Sequence, residues 1–93
     1  MSMHVLKLFI NGHSLNSVEA VDTLLKICKE NLNGNYHLEI IDIQKDPDKA
    51  EEAGIIAIPT LIRMSPTPIS RIIGALHVRS RVLAGLGISS MHK

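Results

Sequence analysis

The first half of the chain carries a hydrophobic pattern that predicts a strand, a helix and a second strand. Residues 5–10 have five apolar side chains in six positions, which is typical of an inner strand covered on both faces. Residues 36–43 are again apolar on both faces, and the three elements together predict a right-handed crossover with parallel strands. The helix between them is predicted from apolar positions that recur every three or four residues and face a sheet: Val18, Val21, Leu24, Leu25, Cys28 and Leu32.

Capping signals place the ends of this predicted helix. Asn16, with Glu19 three positions later, fits a capping box, so Asn16 is the predicted N-cap. Asn33 and Gly34 follow the last apolar position, and glycine readily adopts the left-handed conformation that ends a helix. We therefore predict a helix of about sixteen residues between the two signals.

A short and mostly polar helix is predicted next. Asp46 and Pro47 fit an N-cap followed by proline at the first helical position, and the helical composition continues to Ala53 and Gly54. We interpret its acidic side chains as a solvated face in preference to a binding surface: Asp46, Asp48, Glu51 and Glu52.

The residues beyond Ile58 carry both strand and helix signals. Residues 60–64 and 69–73 predict two strands joined by a turn at 65–68, and residues 78–86 predict a last helix with Val78, Val82 and Leu83 packed inward. Residues 69–73 also satisfy helical spacing, and glycines weaken the regular elements that they interrupt, namely Gly74, Gly85 and Gly87. The conformation of this half therefore stays open.

Length and composition narrow the class of protein. The 93 residues, 45% hydrophobic with a net charge of +1, suit one small domain over residues 1–93 whose modest core would gain from self-association. The chain has no basic run and only Phe9 and Tyr36 as aromatics, so a nucleic-acid partner is not expected. The apolar stretch at residues 5–10 is too short for a signal peptide or a bilayer span. We therefore expect no membrane partner and a cytoplasmic location.

Candidate chemistry is sparse. The single cysteine, Cys28, cannot form an intramolecular disulfide or a Cys-x-x-Cys site, and its place in the helical stripe predicts a packed core thiol in a reducing cytosol. The five histidines share no metal-ligating spacing, so neither a metal nor a cofactor is expected. Arginines are concentrated in the second half, with Lys7 and Lys45 as potential neighbours. Contacts to a partner and solvated charge explain these arginines equally well: Arg63, Arg71, Arg79 and Arg81.

The order of the predicted elements resembles that of a thioredoxin-like domain. The step Ile58-Pro59-Thr60 falls where that fold usually has a cis-proline. Thioredoxins carry a Cys-x-x-Cys pair where the first strand leads into the first helix, because the helix N-terminus lowers a thiol pKa. Residues 11–17 contain no cysteine, so dithiol redox catalysis is not expected.

An ordered set of short segments between residues 5 and 86 is similar to the KaiB family of circadian clock proteins. The matching gaps between the segments make the set specific, although no single segment is diagnostic. The segments are Leu6–Gly12, Asn16-Ser17, Ile41–Ile43, Ala50–Glu52, Pro59–Leu61, and Pro66 and Pro68 followed by Arg71–Gly74. The resemblance implies a regulatory protein without catalysis that binds the KaiC ATPase by changing fold, in circadian timing or in stress adaptation.

The resemblance also implies two states of the chain. The βαβ first half is common to both, and the second half is metamorphic. The free form is expected to be a homotetramer, a dimer of dimers, in the family's resting fold, and the partner-bound form to be thioredoxin-like. The candidate residues for partner binding or fold switching are Lys7, Lys45, Pro59, Arg63, Pro66, Pro68, Arg71, Gly74, Gly85 and Gly87.

The chain departs from the family pattern, and two alternative functions are compatible with its sequence. Gly54 stands where the family usually has a lysine, and Gly87 where it usually has an aspartate. One alternative is a free-standing sensor module, similar to the KaiB-like input domain of clock-output histidine kinases, with a stable thioredoxin-like fold. The other is a thioredoxin-fold enzyme in which Ser14 or Ser17 replaces the missing thiol.

Overall fold

A four-stranded mixed sheet organises the chain. The computed structural model describes residues 3–12 and 14–88, and its elements are β1 (His4–Ile10), α1 (Leu15–Asn31), β2 (Tyr36–Asp42), α2 (Pro47–Glu52), β3 (Thr60–Ser65), β4 (Ser70–Ile73) and α3 (Arg79–Leu86). The strand order is β2-β1-β3-β4, with β2 parallel to β1, β3 antiparallel to β1 and β4 antiparallel to β3. The predicted order of elements is confirmed, and within the segment with mixed signals at 69–73, residues 70–73 form a strand. None of the helices in the described ranges is long and apolar enough to cross a lipid bilayer.

The helices cover the two faces of the sheet unequally. On one face α1 and α3 pack over Leu6 and Leu8 of β1 and form the larger core cluster. On the other face only the six-residue α2 packs, against Phe9, Ile41 and Ile62. Strand β1 is therefore buried on both sides, as its run of apolar residues predicted, while much of the α2 side stays open.

Helix α1 begins earlier and presents a different face than predicted. Ser14 is its N-cap, and the Ser14 hydroxyl accepts a hydrogen bond from the Ser17 N–H at 3.3 Å. The prediction of Asn16 as N-cap is wrong, because Asn16 already lies inside the first turn. The predicted stripe is also partly wrong, since Val18 and Leu25 are about half exposed. The buried positions instead form a neighbouring stripe that includes the small side chains of Ser17 and Ala20: Ser17, Ala20, Leu24, Ile27 and Cys28.

The second half matches its prediction closely in the positions of its elements. Val82 and Leu83 are buried as predicted, whereas Val78 is the N-cap residue of α3 and is exposed. The prediction that Val78 packs inward was wrong, because the helix begins one residue later. Helix α3 ends at Gly87, which has the left-handed conformation with φ of 72°. The expected cis peptide at Ile58-Pro59 is present, together with cis peptides at Ser65-Pro66 and Thr67-Pro68.

The two candidate N-caps of α1 provide a test of the fold. Ser14→Ala removes the side-chain acceptor of the Ser17 N–H and should lower the free energy of unfolding by about 1 kcal/mol. Asn16→Ala is the matched control, because Asn16 is an exposed residue within the helix, and it should change this free energy by less than about 0.5 kcal/mol. Urea denaturation followed by circular dichroism measures both, and a larger loss for Asn16→Ala would contradict the assigned cap.

Candidate functional site

The open side of the sheet carries a groove that we call the α2 groove. Its volume is about 430 Å³. It lies over the side chains of the smaller core cluster, Phe9, Ile41 and Ile62, with Met64 and Ile69 along it. Polar side chains form its rim: Lys7, Glu39, Lys49, Glu52 and Arg71. An apolar floor within a charged rim is the usual composition of a surface that binds another protein.

An ion pair crosses one side of the α2 groove. Lys49 Nζ lies 3.1 Å from Glu39 Oε2. The hydrogen bond and charge of Lys49 hold the pKa of Glu39 below its usual value, and the same bond raises the pKa of Lys49. Lys7 is paired in register with Glu39 between β1 and β2, and its charge also lowers the pKa of Glu39 slightly. Lys7 itself makes no ion pair or hydrogen bond within the described residues.

Arg71 closes the other side of the α2 groove. Its guanidinium donates through Nη1 to the carbonyl oxygen of Gly54 at 3.4 Å and through Nη2 to that of Ala53. These carbonyls lie at the C-terminal end of α2, where a cation is electrostatically favoured. Arg71 therefore connects strand β4 to α2 across the groove.

On the opposite face of the sheet, Arg63 joins three segments of the second half. Nη1 donates to the carbonyl oxygen of Leu86 at 2.8 Å, and Nη2 donates to that of Pro68 at 2.8 Å. Its Nε is buried without a hydrogen-bond partner in the described part of the chain. A Cβ placed at Gly87 would lie 3.0 Å from Nη1, so the glycine leaves room for the guanidinium. We call this set, Arg63, Pro68, Leu86 and Gly87, the Arg63 junction.

The remaining predicted residues lie apart from these two places. Pro59 is buried and Pro66 is half-buried, Gly74 ends β4 with φ of 76°, and Gly85 lies against Ile72 inside α3. Lys45 is exposed in the turn after β2 and borders a separate groove along α1. The structure thus brings Lys7 near Arg71, but the idea that Lys45 joins them is wrong.

The four arginines of the second half do not converge on one site. Arg79 bonds to Glu30 and Asn31 at the end of α1, at 2.8 and 2.7 Å. Arg81 donates to the carbonyl oxygens of Ile73 and Gly74. Each guanidinium forms hydrogen bonds at the end of a different helix or strand. Sequence spacing alone does not reveal these partners.

The two serines considered as replacements for a thiol both serve the start of α1. The Ser17 hydroxyl is buried and accepts a hydrogen bond from the Asn11 N–H at 3.0 Å, and the Ser14 hydroxyl is the N-cap acceptor. Cys28 is fully buried in the core, and desolvation raises its pKa to about 11. Within the described residues, no three His, Cys, Asp or Glu side chains come together as a metal site would require.

Of the residues that line the α2 groove, only Lys7 and Arg71 were among the predicted site residues. Glu39 sits at an alternating position of a strand that was interpreted as covered on both faces, and Lys49 belongs to a helix interpreted only by its acidic side chains. Met64 was assigned to a strand without a role. The alternation of polar Glu39 with apolar neighbours was a usable signal, whereas the Glu39–Lys49 contact depends on how α2 crosses the sheet.

Solved structures define the class of the protein. The N-terminal domain of SasA from Synechococcus elongatus is similar with a TM-score of 0.72 and 16% identity, covering 90% of this chain and 79% of that one. Chloroplastic thioredoxin z is similar with a TM-score of 0.77 and 18% identity, covering 91% and 76%. The protein has a thioredoxin-like α/β fold, and this part of the predicted fold class is confirmed, while the metamorphic second half stays a prediction.

Sequence comparison then defines the family. The KaiB domain model matches residues 7–88. The circadian clock protein KaiB3 of Synechocystis is 43% identical over 88 residues, which is 95% of this chain and 86% of the relative. The circadian clock oscillator protein KaiB of Microcystis aeruginosa is 46% identical over 85 residues, covering 91% and 82%. The chain belongs to the KaiB family of circadian clock proteins.

The buried thiol gives a pH-dependent prediction. Because Cys28 has a folded-state pKa of about 11 against an ordinary value of 9.0, the unfolded chain releases this proton first as pH rises. The contribution of Cys28 to stability should therefore fall between pH 9 and pH 11. The ¹³Cβ chemical shift of Cys28, followed across this pH range in buffer and in urea, measures both titrations. A folded thiol that titrates at its ordinary value would contradict the burial.

Proposed function

We propose that this KaiB-family chain is a non-catalytic regulatory protein that binds a KaiC-type ATPase in the thioredoxin-like state. The observation that supports this most directly is the combination of a KaiB sequence with a second half arranged as β3, β4 and α3 on the sheet. That arrangement is the one expected of the partner-bound form. The proposed role is timing, with adaptation to stress as the alternative setting, and the proposed location is the cytoplasm.

A change of fold in the second half is part of the proposal. Its resting form is a homotetramer, a dimer of dimers, in which residues beyond Ile58 are arranged differently. Only a few kcal/mol can separate the two arrangements if both are to be reached. The Arg63 junction is suited to this balance, because one guanidinium bonds to the end of α3 and to the turn before β4. If the binding form were about 1% populated, the apparent affinity would be about a hundredfold weaker than the intrinsic one.

The α2 groove is the proposed surface for the ATPase. It combines a buried apolar floor with the uncommitted cation of Lys7 on its rim, and Arg71 sets its width by holding β4 to α2. Phe9, Ile41 and Ile62 lie on rigid strands, so the groove is preformed whenever β3 is paired with β1. Preformed surfaces lose less conformational entropy on binding.

One alternative is supported by a specific observation. The likeness in fold to the SasA N-terminal domain is compatible with a free-standing module that keeps the thioredoxin-like fold at all times. Sedimentation distinguishes the two, because this alternative requires no tetramer and the main proposal does. A thioredoxin-fold enzyme is the third possibility, and thiol exchange that Ser14→Ala abolishes would support it.

The rim cation gives a test of the binding surface. Lys7→Ala should weaken binding to the cognate KaiC-type ATPase about three- to tenfold, because the substitution removes the cation that would pair with an anionic group of the ATPase. Lys29→Ala is the matched control, since Lys29 is exposed on α1, on the opposite side of the sheet. This variant should change the affinity by less than about twofold. Biolayer interferometry with immobilised ATPase measures both. Equal affinities of the two variants would remove the α2 groove from the proposal.

The Arg63 junction gives a second test. Arg63→Lys keeps the charge but loses the forked geometry of the guanidinium. A hydrogen bond to a charged group contributes about 1.5–3 kcal/mol to stability, so the loss of one should destabilise the junction by about that amount. Amide hydrogens of α3 should exchange at least about tenfold faster, while those of α1 stay within about twofold of the wild type. Arg79→Lys is the control, because Arg79 bonds to side chains of α1 at the protein surface. Exchange in α3 that is equal in both variants would contradict the junction.

A further inference from the structure

Charge is divided between the two halves of the chain. Residues 1–52 contain nine carboxylates and five lysines, a net charge of −4, whereas residues 53–93 contain four arginines, one lysine and no carboxylate, a net charge of +5. Within the described residues, Arg71 and Arg81 have only carbonyl oxygens as hydrogen-bond partners. These exposed cations are therefore not paired with a carboxylate in the part of the chain that the structure describes.

Two of these arginines border the free edge of the sheet. Strand β4 is the outermost strand beside β3, and a shallow groove of about 530 Å³ runs between its edge and α3. We call it the β4 edge groove. Ile73 at one end of the strand is 49% exposed, and Ile69 before the strand is 60% exposed, so apolar surface accompanies the cations. The lining residues are Arg71, Ile72, Ile73, Arg81, Ala84 and Gly85.

Arg81 lies directly at this edge. Its Nη2 donates to the carbonyl oxygen of Ile73 at 3.1 Å, and its Nε donates to that of Gly74 at 3.3 Å. A cation at an exposed edge discourages uncontrolled pairing with other strands. A guanidinium has five N–H donors, so after these two bonds Arg81 retains donors for a carboxylate that approaches along the edge.

We propose that the β4 edge groove binds an extended acidic segment of a partner protein, which adds to the sheet as a fifth strand. Main-chain hydrogen bonds to edge groups of β4 other than the Ile73 carbonyl oxygen, which Arg81 already binds, would supply affinity, and side chains would supply specificity. Residues of an added strand alternate between the two faces. Arg71 reaches towards α2 on one face, and Arg81 belongs to α3 on the other. The segment therefore carries carboxylates at positions an odd number of residues apart, with an apolar residue beside Ile73.

The other edge of the sheet does not fit the same partner. Strand β2 is the opposite outermost strand, and it carries Glu39 and Asp42. The neighbouring α2 adds further carboxylates. Like charges facing each other across an interface are unfavourable, so an acidic segment distinguishes the two edges. This inference goes beyond the proposed function because it requires no ATPase. It rests on the thioredoxin-like arrangement of the second half that the proposed function assigns to the binding form, since the β4 edge is present only when β4 is paired with β3.

A peptide titration tests the proposal. The probe is the synthetic peptide acetyl-Thr-Glu-Val-Asp-Glu-Val-Thr-amide, added to the full-length ¹⁵N-labelled protein and followed by amide chemical shifts. We expect shifts concentrated in β4 and the facing side of α3, and binding that weakens as salt is raised. The control peptide has glutamine and asparagine in place of the acidic residues and should bind at least about threefold more weakly.

Matched variants locate the site. Arg81→Gln should weaken peptide binding about three- to fivefold, and Ala84→Glu, which adds a carboxylate to the groove, should weaken it at least as much. Arg79→Gln is the control on the same helix, because Arg79 bonds to Glu30 and Asn31 away from the groove, and it should have no effect beyond about twofold.

Three results would overturn the proposal: shifts centred on β2, equal effects of Arg81→Gln and Arg79→Gln, or no binding of the acidic peptide by wild type in the thioredoxin-like arrangement, which the contact between Thr60 and Ile73 identifies. Binding of the KaiC-type ATPase to the same variants is measured in a separate experiment. Retained ATPase binding with no peptide binding rejects the edge site and leaves the proposed function standing. Lost ATPase binding by Lys7→Ala with retained peptide binding does not affect the edge site.

Discussion

The antiparallel pairing of β3 with β1 is the constraint on which the rest of the structure depends. Strand β1 is already fixed on its other side by the parallel strand β2, and β3 adds to it in a defined register, with Leu8 opposite Leu61. That register places β4 at the edge and Arg63 under the end of α3. The α2 groove, the Arg63 junction and the β4 edge groove all require this pairing, so the three surfaces appear or disappear together.

The segments of the second half are connected more by hydrogen bonds from arginine side chains to backbone carbonyl oxygens than by ion pairs. Arg63, Arg71 and Arg81 each donate to the backbone at the end of a helix, a turn or a strand. Such bonds form only when both segments are in place, since a carbonyl oxygen cannot follow a moving guanidinium as a flexible carboxylate side chain can. The arrangement is therefore cooperative, which suits a half that is proposed to exist in two packings of similar free energy.

Much of the fold was predictable from local pattern, and the sites were less so. The strands over residues 5–10 and 60–64 follow from apolar runs, and the end of α1 shortly before Asn33 and Gly34 follows from the glycine signal. The face of α1 was predicted wrongly because Ser17 and Ala20 are small rather than strongly apolar, and hydrophobic spacing ignores how closely a helix can approach a sheet. The partners of Arg63 and Arg71 depend on segments 5 to 23 residues away, so only the assembled fold reveals them.

The pairing of β3 with β1 is tested most directly by nuclear Overhauser effects between Leu8 and Leu61 and between Thr60 and Ile73, recorded for the free protein and for its complex with the KaiC-type ATPase. We expect both contacts to be present in the complex. In the free tetramer we expect them to weaken or vanish, while contacts between β1 and β2 remain in both. A complex that lacks the contact between Leu8 and Leu61 would contradict the account.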